Sequence, residues 1–157
     1  MILVREACPD DDAEVQRVFD AAFTPVRRIY RPSEEMLAEV RTHELERLVA
    51  VEDGDIVGTV RFGIGDDRLR VIGLAVAPAH QRRGIARALV ERLIEIALER
   101  DCDLLALFTI EQTGNAVVFA RLGFEVVSEQ PDTSSISVSG DNLIELYMER
   151  PVGKRVT

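Results

Sequence analysis

The 157-residue chain has few cysteines and no long apolar run. Its two cysteines, Cys8 and Cys102, form no C-x-x-C pair and have no histidine cluster near them, which argues against a disulfide framework and against a zinc site. No apolar stretch approaches the roughly 18 residues that a membrane span requires, and the first residues lack the basic segment and apolar core of a signal peptide. We therefore expect no metal, no membrane partner and a cytoplasmic location.

Positive charge is also scarce. The chain has 19 lysines and arginines against 28 aspartates and glutamates, a formal net charge of −9. A nucleic-acid backbone would be repelled over most of such a surface, so we expect no nucleic-acid partner. A cationic or amine substrate suits this charge better, although an acidic surface also serves solubility alone, and both interpretations stay open. Neither GxxxxGK[ST] nor GxGxxG occurs, which disfavours a nucleotide-binding domain.

The length and a hydrophobic content of 46% suit a single domain over residues 1–157, with a short flexible tail over about residues 151–157. Hydrophobic periodicity predicts eleven elements, with a surface loop at 131–141. The predicted strands are 2–6, 48–51, 56–62, 69–77, 103–109, 124–128 and 143–148, and the predicted helices lie at about 10–23, 33–40, 85–100 and 115–122. This order predicts an α/β fold, a mixed and mostly antiparallel sheet of about seven strands flanked by about four helices.

The most informative segment is QRRGIA, residues 81–86, which joins an apolar strand directly to an amphipathic helix that begins at Ile85. The first N–H groups of a helix have no intrahelical partner and lie at the positive end of the helix dipole, so they can bind a phosphate. Gly84 lets the main chain approach a ligand closely, while Arg82 and Arg83 add charge. The turn therefore predicts a ligand that carries a pyrophosphate.

The order of elements, the QRRGIA turn and the later FARLGF segment resemble the GNAT family of N-acetyltransferases. The most specific part is LAVAPAHQRRGIARALVERLIEIA, where the family has a strand, a proline and a Q/R-x-x-G-x-G/A turn that opens a helix. The resemblance covers nearly the whole chain. It implies acetyl transfer from acetyl-CoA to a primary amine by direct attack in a ternary complex, and a sheet that splays between its fourth and fifth strands.

The resemblance also implies which residues bind the cofactor. The backbone of Leu74, Ala75 and Val76 would pair with the pantetheine arm of acetyl-CoA, and a strand whose neighbour splays away has the free N–H and C=O groups for this. Gly73 is expected to mark a β-bulge in that strand. The pyrophosphate turn would comprise Gln81, Arg82, Arg83, Gly84, Ile85, Ala86 and Arg87, with Asn115 and Phe119 as further cofactor contacts.

At three positions the chain departs from the family pattern. Phe119 stands where many members have a tyrosine that protonates the CoA sulfur, and Gln112 stands where many have an asparagine, a role that Gln112 or Asn115 could fill. Arg70 stands where some members have a glutamate base. These differences keep an alternative open, a CoA-binding sensor or interaction module with little catalysis.

Glu111, just after the fifth predicted strand, is our first candidate for a catalytic base or an amine anchor, although an exposed loop glutamate is more often only solvated. Tyr147, on the last strand, could offer a hydroxyl in the cleft, although a half-buried sheet tyrosine is the more common case. His80, His43 and Tyr30 are weaker candidates. A lysine-like amine has a pKa of about 10.4 and must lose a proton before it attacks.

The acceptor is expected to be a small-molecule amine or a protein amino group. Its pocket would be formed by loops and by residues 24–46, where no motif identifies the substrate. A homodimer is compatible with the resemblance, because members of the family often form dimers.

Overall fold

The computed structural model describes residues 1–42 and 45–153, and within them all eleven predicted elements are present. The strands are β1 (Ile2–Glu6), β2 (Tyr30–Pro32), β3 (Glu46–Glu52), β4 (Asp55–Gly65), β5 (Arg68–Val76), β6 (Leu104–Ile110), β7 (Glu125–Asp132), β8 (Ser135–Ser137) and β9 (Leu143–Pro151). The helices are α1 (Asp12–Phe23), α2 (Glu34–Thr42), α3 (Ile85–Glu99) and α4 (Asn115–Arg121). His43 and residues 154–157 of the predicted tail lie outside the described residues.

Seven strands form one sheet in the order β1-β3-β4-β5-β6-β9-β7, and every neighbouring pair is antiparallel except β5 and β6. The predicted α/β class, with a mixed and mostly antiparallel sheet and four helices, is confirmed. The predicted loop at 131–141 is partly wrong, because β7 continues to Asp132 and β8 pairs with β2 in a small second sheet. Strands of three residues are too short to show a hydrophobic period.

The sheet splays between β5 and β6, which are the fourth and fifth predicted strands. Their pairing is limited to residues 68–70 of β5 against residues 104–106 of β6. Beyond this point β6 stays with β9 as far as Ile110, while β5 stays with β4 as far as Val76. Over residues 71–76 and 107–110 the two strands therefore do not pair with each other, and they form an open V.

A β-bulge lies in β5 beside this opening. Arg61 of β4 is opposite Gly73, and Phe62 is opposite Val71, so Ile72 is the extra residue and the bulge expected at Gly73 is confirmed. A bulge reverses which side chains point to which face of a sheet. Val71 accordingly packs in the core beneath α3, whereas Ala75 packs beneath α1 with Val15 and Val18.

Helix α3 lies on the larger core and uses the apolar face that its sequence period predicts, with Ile85, Leu89 and Leu93 buried. Gly58 of β4 allows this close packing. A methyl group added at Gly58 would lie 2.8 Å from Ile85 Cγ2 and 3.3 Å from Leu89 Cδ1. The missing side chain at Gly58 therefore helps to set how closely the first turn of α3 approaches the sheet.

Asp11, just before α1, accepts hydrogen bonds from the Arg5 guanidinium at 2.7 and 3.0 Å and from the Cys8 N–H at 2.8 Å. These bonds hold the pKa of Asp11 well below its usual range, and the bonds from Arg5 have the largest effect. The unfolded carboxyl has a pKa of about 3.9, so the contribution of Asp11 to stability is present above that pH and is lost as the pH falls toward the lower native pKa. We expect Asp11→Asn to lower the melting temperature at pH 7, with the difference from wild type shrinking below about pH 4.

The control for this prediction is Asp10→Asn, because Asp10 is exposed and lies in the same short turn. Melting curves between pH 7 and pH 2 should leave Asp10→Asn close to wild type throughout. A difference in melting temperature between Asp11→Asn and wild type that stays constant across this range would contradict a stabilising role of the ionised Asp11 carboxylate.

Candidate active site

The turn before α3 presents a row of free N–H groups. Arg82 and Gly84 have positive φ angles of 65° and 84°, and α3 begins at the next residue, Ile85. The first helical bond joins the Ala88 N–H to the Gly84 carbonyl at 3.0 Å, and no described residue accepts a hydrogen bond from the N–H groups of residues 84–87. A left-handed residue followed by helical residues forms a concave nest that binds anions. The turn therefore has the geometry that a pyrophosphate requires.

Basic side chains surround this turn. Arg83 lies 3.7 Å from a Glu52 carboxylate oxygen, and Arg87 reaches the Arg121 carbonyl at the end of α4 at 3.4 Å. Gln81 donates to the Val76 carbonyl at 3.2 Å and so ties the turn to the end of β5. A methyl group added at Gly84 would meet no atom within 4 Å in the part of the chain that the structure describes, so the space in front of the nest is open there.

The free edge of β5 leads from this turn into the V. The Ala77 N–H donates to the Val57 carbonyl at 2.8 Å, and the bonding direction alternates along an antiparallel pair. By this alternation, the backbone groups of Leu74 and Val76 point away from β4 and into the V. Those of Ala75 point toward Thr59 of β4. Only two of the three strand residues proposed for the pantetheine arm thus have backbone groups on the open side.

The first residues after β6 border the other side of the V. Gln112 is engaged with the start of β9, because its amide donates to the Asn142 carbonyl at 3.0 Å and accepts from the Ile144 N–H at 3.1 Å. Asn115 begins α4, is half-buried, and has no side-chain hydrogen bond to any described residue. Of the two residues considered for the asparagine role, Asn115 therefore has the free side chain.

Phe119 lies one turn further along α4. Its ring packs edge-on against Phe124 with the centroids 6.0 Å apart, and it covers the core beneath α3. It has no hydroxyl with which to protonate a leaving thiolate. Arg70, at the last paired position of β5, stacks over the Phe108 ring at 4.8 Å and offers no carboxylate.

Tyr147 belongs to a hydrogen-bonded cluster near the paired end of β5. Its hydroxyl accepts a hydrogen bond from Arg68 and donates to Glu149 at 2.7 Å. Burial, and then the bond to Glu149, raise the pKa of Tyr147, so the phenol stays protonated near neutral pH. Both functions of its hydroxyl are already used by the protein itself.

Glu111 lies in the short 3₁₀ turn Glu111–Thr113 that directly follows β6 at the mouth of the V, and its side chain is exposed. His80 lies in the turn Pro78–His80 that precedes the nest, and its Nδ1 is buried without a partner among the described residues. The two side chains lie at the ends of the strands that line the V. Neither is brought into contact with Tyr147 by any described hydrogen bond.

Sequence reasoning missed two side chains that face this region. Glu145 of β9 is opposite Ile110 and accepts a hydrogen bond from Gln130 at 2.8 Å, which places a half-buried carboxylate beside the open end of β6. It lies two residues before Tyr147 and therefore on the same face of β9, a signal that the strand period contained. The second missed residue is Arg61 of β4, whose position depends on packing between α1 and the sheet.

Within residues 1–42 and 45–153, no group of three or more histidine, cysteine, aspartate or glutamate side chains is arranged to hold a metal ion. In the same part of the chain, no helix has both the length and the apolar character of a membrane span.

Comparison with known proteins places this geometry in a family. A model of the acetyltransferase (GNAT) family matches residues 13–124. Among solved structures, the ribosomal-protein-S18-alanine N-acetyltransferase from Escherichia coli has a TM-score of 0.74 at 19% identity, covering 99% of this chain and 97% of that one. Nourseothricin acetyltransferase has a TM-score of 0.73 at 21% identity, with 97% and 99% covered. The PaiA N-acetyltransferase from Thermoplasma acidophilum, in complex with coenzyme A, has a TM-score of 0.73 at 17% identity, covering 96% of this chain and 99% of that one. At these identities the structures show a shared fold.

Proposed function

The chain belongs to the acetyltransferase (GNAT) family, and we propose that it moves the acetyl group of acetyl-CoA to a primary amine by direct attack in a ternary complex. Acetyl-CoA is the co-substrate of the family, and the observation that supports its binding here is the nest of free N–H groups at residues 84–87 beside an open strand edge. A charge-assisted hydrogen bond contributes about 1.5–3 kcal/mol, so several of them directed at one diphosphate would dominate the affinity.

We propose that the cofactor lies along the V. The N–H groups of residues 84–87 would hold its pyrophosphate, with Gln81, Arg82, Arg83 and Arg87 around it. The backbone groups of Leu74 and the N–H of Val76 would pair with the amides of its arm, because the Val76 carbonyl already accepts a hydrogen bond from Gln81. Ala75, between them, contributes a buried side chain. Asn115 and Phe119 would border the arm from α4. Acetyl-CoA supplies an activated acyl group on a thioester, and the chain supplies position and charge.

The chemical requirements on the chain are then few. The Leu74 N–H would donate to the acyl oxygen as negative charge develops there. A carboxylate must accept a proton from the amine, and Glu111 and Glu145 are the carboxylates at the open end of β6. With Phe119 in place of a tyrosine, the departing sulfur has no hydroxyl from α4, but a thiol with a pKa of about 8.5 leaves readily.

The alternative function, a CoA-binding sensor with little catalysis, is favoured by the same missing hydroxyl and by the occupied hydroxyl of Tyr147. Against it, loss of one acid–base group typically lowers a rate by about 10²–10⁴-fold without abolishing turnover. Release of free thiol from acetyl-CoA across a panel of amines, with mass spectrometry of the products, separates the two functions. Acetylated amine supports the enzyme. Tight CoA binding without thiol release for any amine supports the sensor.

Replacing Glu111 with glutamine removes a proton acceptor and keeps the size of the side chain. We expect kcat to fall about 10²-fold, the lower end of the usual effect of a general base, with CoA affinity within twofold of wild type. Steady-state kinetics and calorimetry with CoA measure the two quantities. Glu91→Gln on the exposed face of α3 is the control and should change neither. Unchanged turnover in Glu111→Gln would remove Glu111 from this role and leave Glu145.

A further inference from the structure

A cleft of about 580 Å³ lies between α1, α2 and the sheet, on the face of β4 and β5 that α1 covers. Its apolar lining includes Phe19, Phe23 and Met36. Among the described residues, its charged lining consists of three arginines and one aspartate, Arg27, Arg47, Arg61 and Asp20. A chain with a net charge of −9 has thus gathered an excess of positive charge in one concave region.

Some charged side chains in this cleft have partners among the described residues, and others have none. Arg47 binds Asp12 at 2.9 Å, and Asp20 accepts a hydrogen bond from Gln16 at 2.7 Å. Among the described residues, no carboxylate lies within 4.0 Å of the guanidinium of Arg27 or Arg61. Arg27 instead lies over the Phe23 and Tyr30 rings at 5.5 and 5.9 Å.

Arg61 is held in place by packing, and no described residue supplies a counter-charge. Its Cζ lies 4.5 Å from the centre of the Phe19 ring, and its Nε is fully buried with no hydrogen-bond partner among the described residues. On the other side is Gly73, where an added methyl group would lie 3.2 Å from Arg61 Nη2. Burial lowers the pKa of Arg61, and the nearby charges of Arg47 and Arg27 lower it further. A desolvated charge without a partner is unfavourable, and a bound anion would offset this.

The position of Arg61 relates this charge to the open V. Gly73, against which the guanidinium packs, directly precedes Leu74, whose N–H points into the V. Ile72, the extra residue of the bulge, lines the same cleft. An anion bound at Arg61 would therefore lie close to the strand segment where the acyl group is proposed to sit, on the face of the sheet from which an acceptor would approach.

We infer that this cleft binds the acceptor through a carboxylate, and that the acceptor is a small primary amine with a carboxylate and an apolar substituent, as in an apolar α-amino acid. This inference rests on the proposed function. Arg61 would receive the carboxylate through two parallel N–H bonds, the geometry that a guanidinium favours, while Phe19, Phe23 and Met36 cover the apolar part.

The bonds and protons of the acetyl transfer balance as follows. The acceptor nitrogen forms a bond to the acyl carbon, and the carbon–sulfur bond breaks. Starting from the ammonium form, one proton passes to a carboxylate at the mouth of the V and then to solvent, and a second ends on the thiol of coenzyme A.

The test compares acceptors that are alike in shape and differ in the presence of a carboxylate. Leucine and leucinamide, and phenylalanine and phenylalaninamide, have the same shape, but only the acids carry a carboxylate. We expect kcat/KM for the acids to exceed that for the amides by about 10–10²-fold. In Arg61→Met this ratio should fall to near one, and Arg61→Lys, which keeps the charge but not the planar fork, should retain part of it. Arg17→Met, at an exposed position of α1 outside the cleft, should keep the wild-type ratio.

A binding measurement makes the test independent of turnover. Calorimetric titration of the CoA-loaded protein with N-acetyl-leucine and with N-acetyl-leucinamide should show tighter binding of the acid by at least about tenfold in wild type and no such preference in Arg61→Met. Circular dichroism confirms that each variant is folded.

The outcomes separate the two proposals. Equal binding of the acid and the amide by wild type, binding of neither, or a preference that survives in folded Arg61→Met would overturn the carboxylate inference. Acetylation of polyamines or protein amino groups in preference to the acids would do the same and would leave the N-acetyltransferase intact. A protein that fails to bind CoA, or that releases no thiol with any amine, contradicts the proposed function instead.

Discussion

Gly84→Ala is expected to weaken CoA binding about 10³-fold, although a methyl group at this position meets no atom of residues 1–42 and 45–153 within 4 Å. The cause is the φ of +84°, which residues with a side chain rarely adopt. If the main chain relaxes toward a negative φ, the N–H groups of the nest turn away from a common point. If it does not, the methyl group occupies the open space in front of the nest. Loss of two charge-assisted bonds of about 2 kcal/mol each corresponds to about 10³-fold in affinity.

Gly54→Ala is a closely matched control. Gly54, in the Asp53–Gly54 turn between β3 and β4, has the same φ of +84° and the same empty space around an added methyl group. Both variants should lose about 1 kcal/mol of stability, or about 2–4 °C in melting temperature, but only Gly84→Ala should lose CoA affinity in calorimetry. Wild-type affinity in Gly84→Ala, or an equal loss in Gly54→Ala, would show that the nest does not hold the diphosphate.

Gly58→Val is expected to destabilise the fold by about 3 kcal/mol and to lower the melting temperature by about 6–12 °C. Its Cβ alone would lie 2.8 Å from Ile85 Cγ2, so α3 must move away from the sheet or the core must rearrange. Because Ile85 is the first residue of α3, a displacement of this helix also moves the N–H groups that form the nest. We therefore expect weaker CoA binding together with the loss of stability, measured by calorimetry and thermal melting.

Gly65→Val controls for the change of residue type within the same strand. An added methyl group at Gly65 meets no atom of the described residues within 4 Å, and a β-branched residue suits a strand. Stability and CoA affinity should both stay near wild type. A Gly58→Val protein as stable as Gly65→Val would mean that α3 does not depend on this contact for its distance from the sheet.

Much of the fold could be predicted because its main elements have a clear hydrophobic period. The apolar face of α3, the Asp53–Gly54 turn and the start of α3 after Gly84 all follow from local sequence. The β2–β8 pair could not be predicted in this way, because three residues carry no period and their partners lie about a hundred positions apart in the chain.

The candidate site was predicted where main chain forms it and missed where side chains from distant segments meet. The nest depends on a turn that is continuous in sequence. The difference between Ala75 and its two neighbours depends on the bonding register with β4, which the sequence alone does not give. A binding role for Arg61 could not be predicted, because it depends on contacts with Phe19 and Gly73, which lie on other elements. It also depends on the lack of an acidic neighbour among the described residues.

The gap between β5 and β6 also affects the stability of the folded protein. A flank of sheet without a partner is a place where other chains can add and where unfolding can begin. In the proposed binding mode, acetyl-CoA would pair with this edge as an added strand would, and a ligand that binds only the folded form stabilises it by about 2.7 kcal/mol at a hundred times its dissociation constant. If the groove binds the donor as proposed, the stability of the folded enzyme depends on the supply of acetyl-CoA.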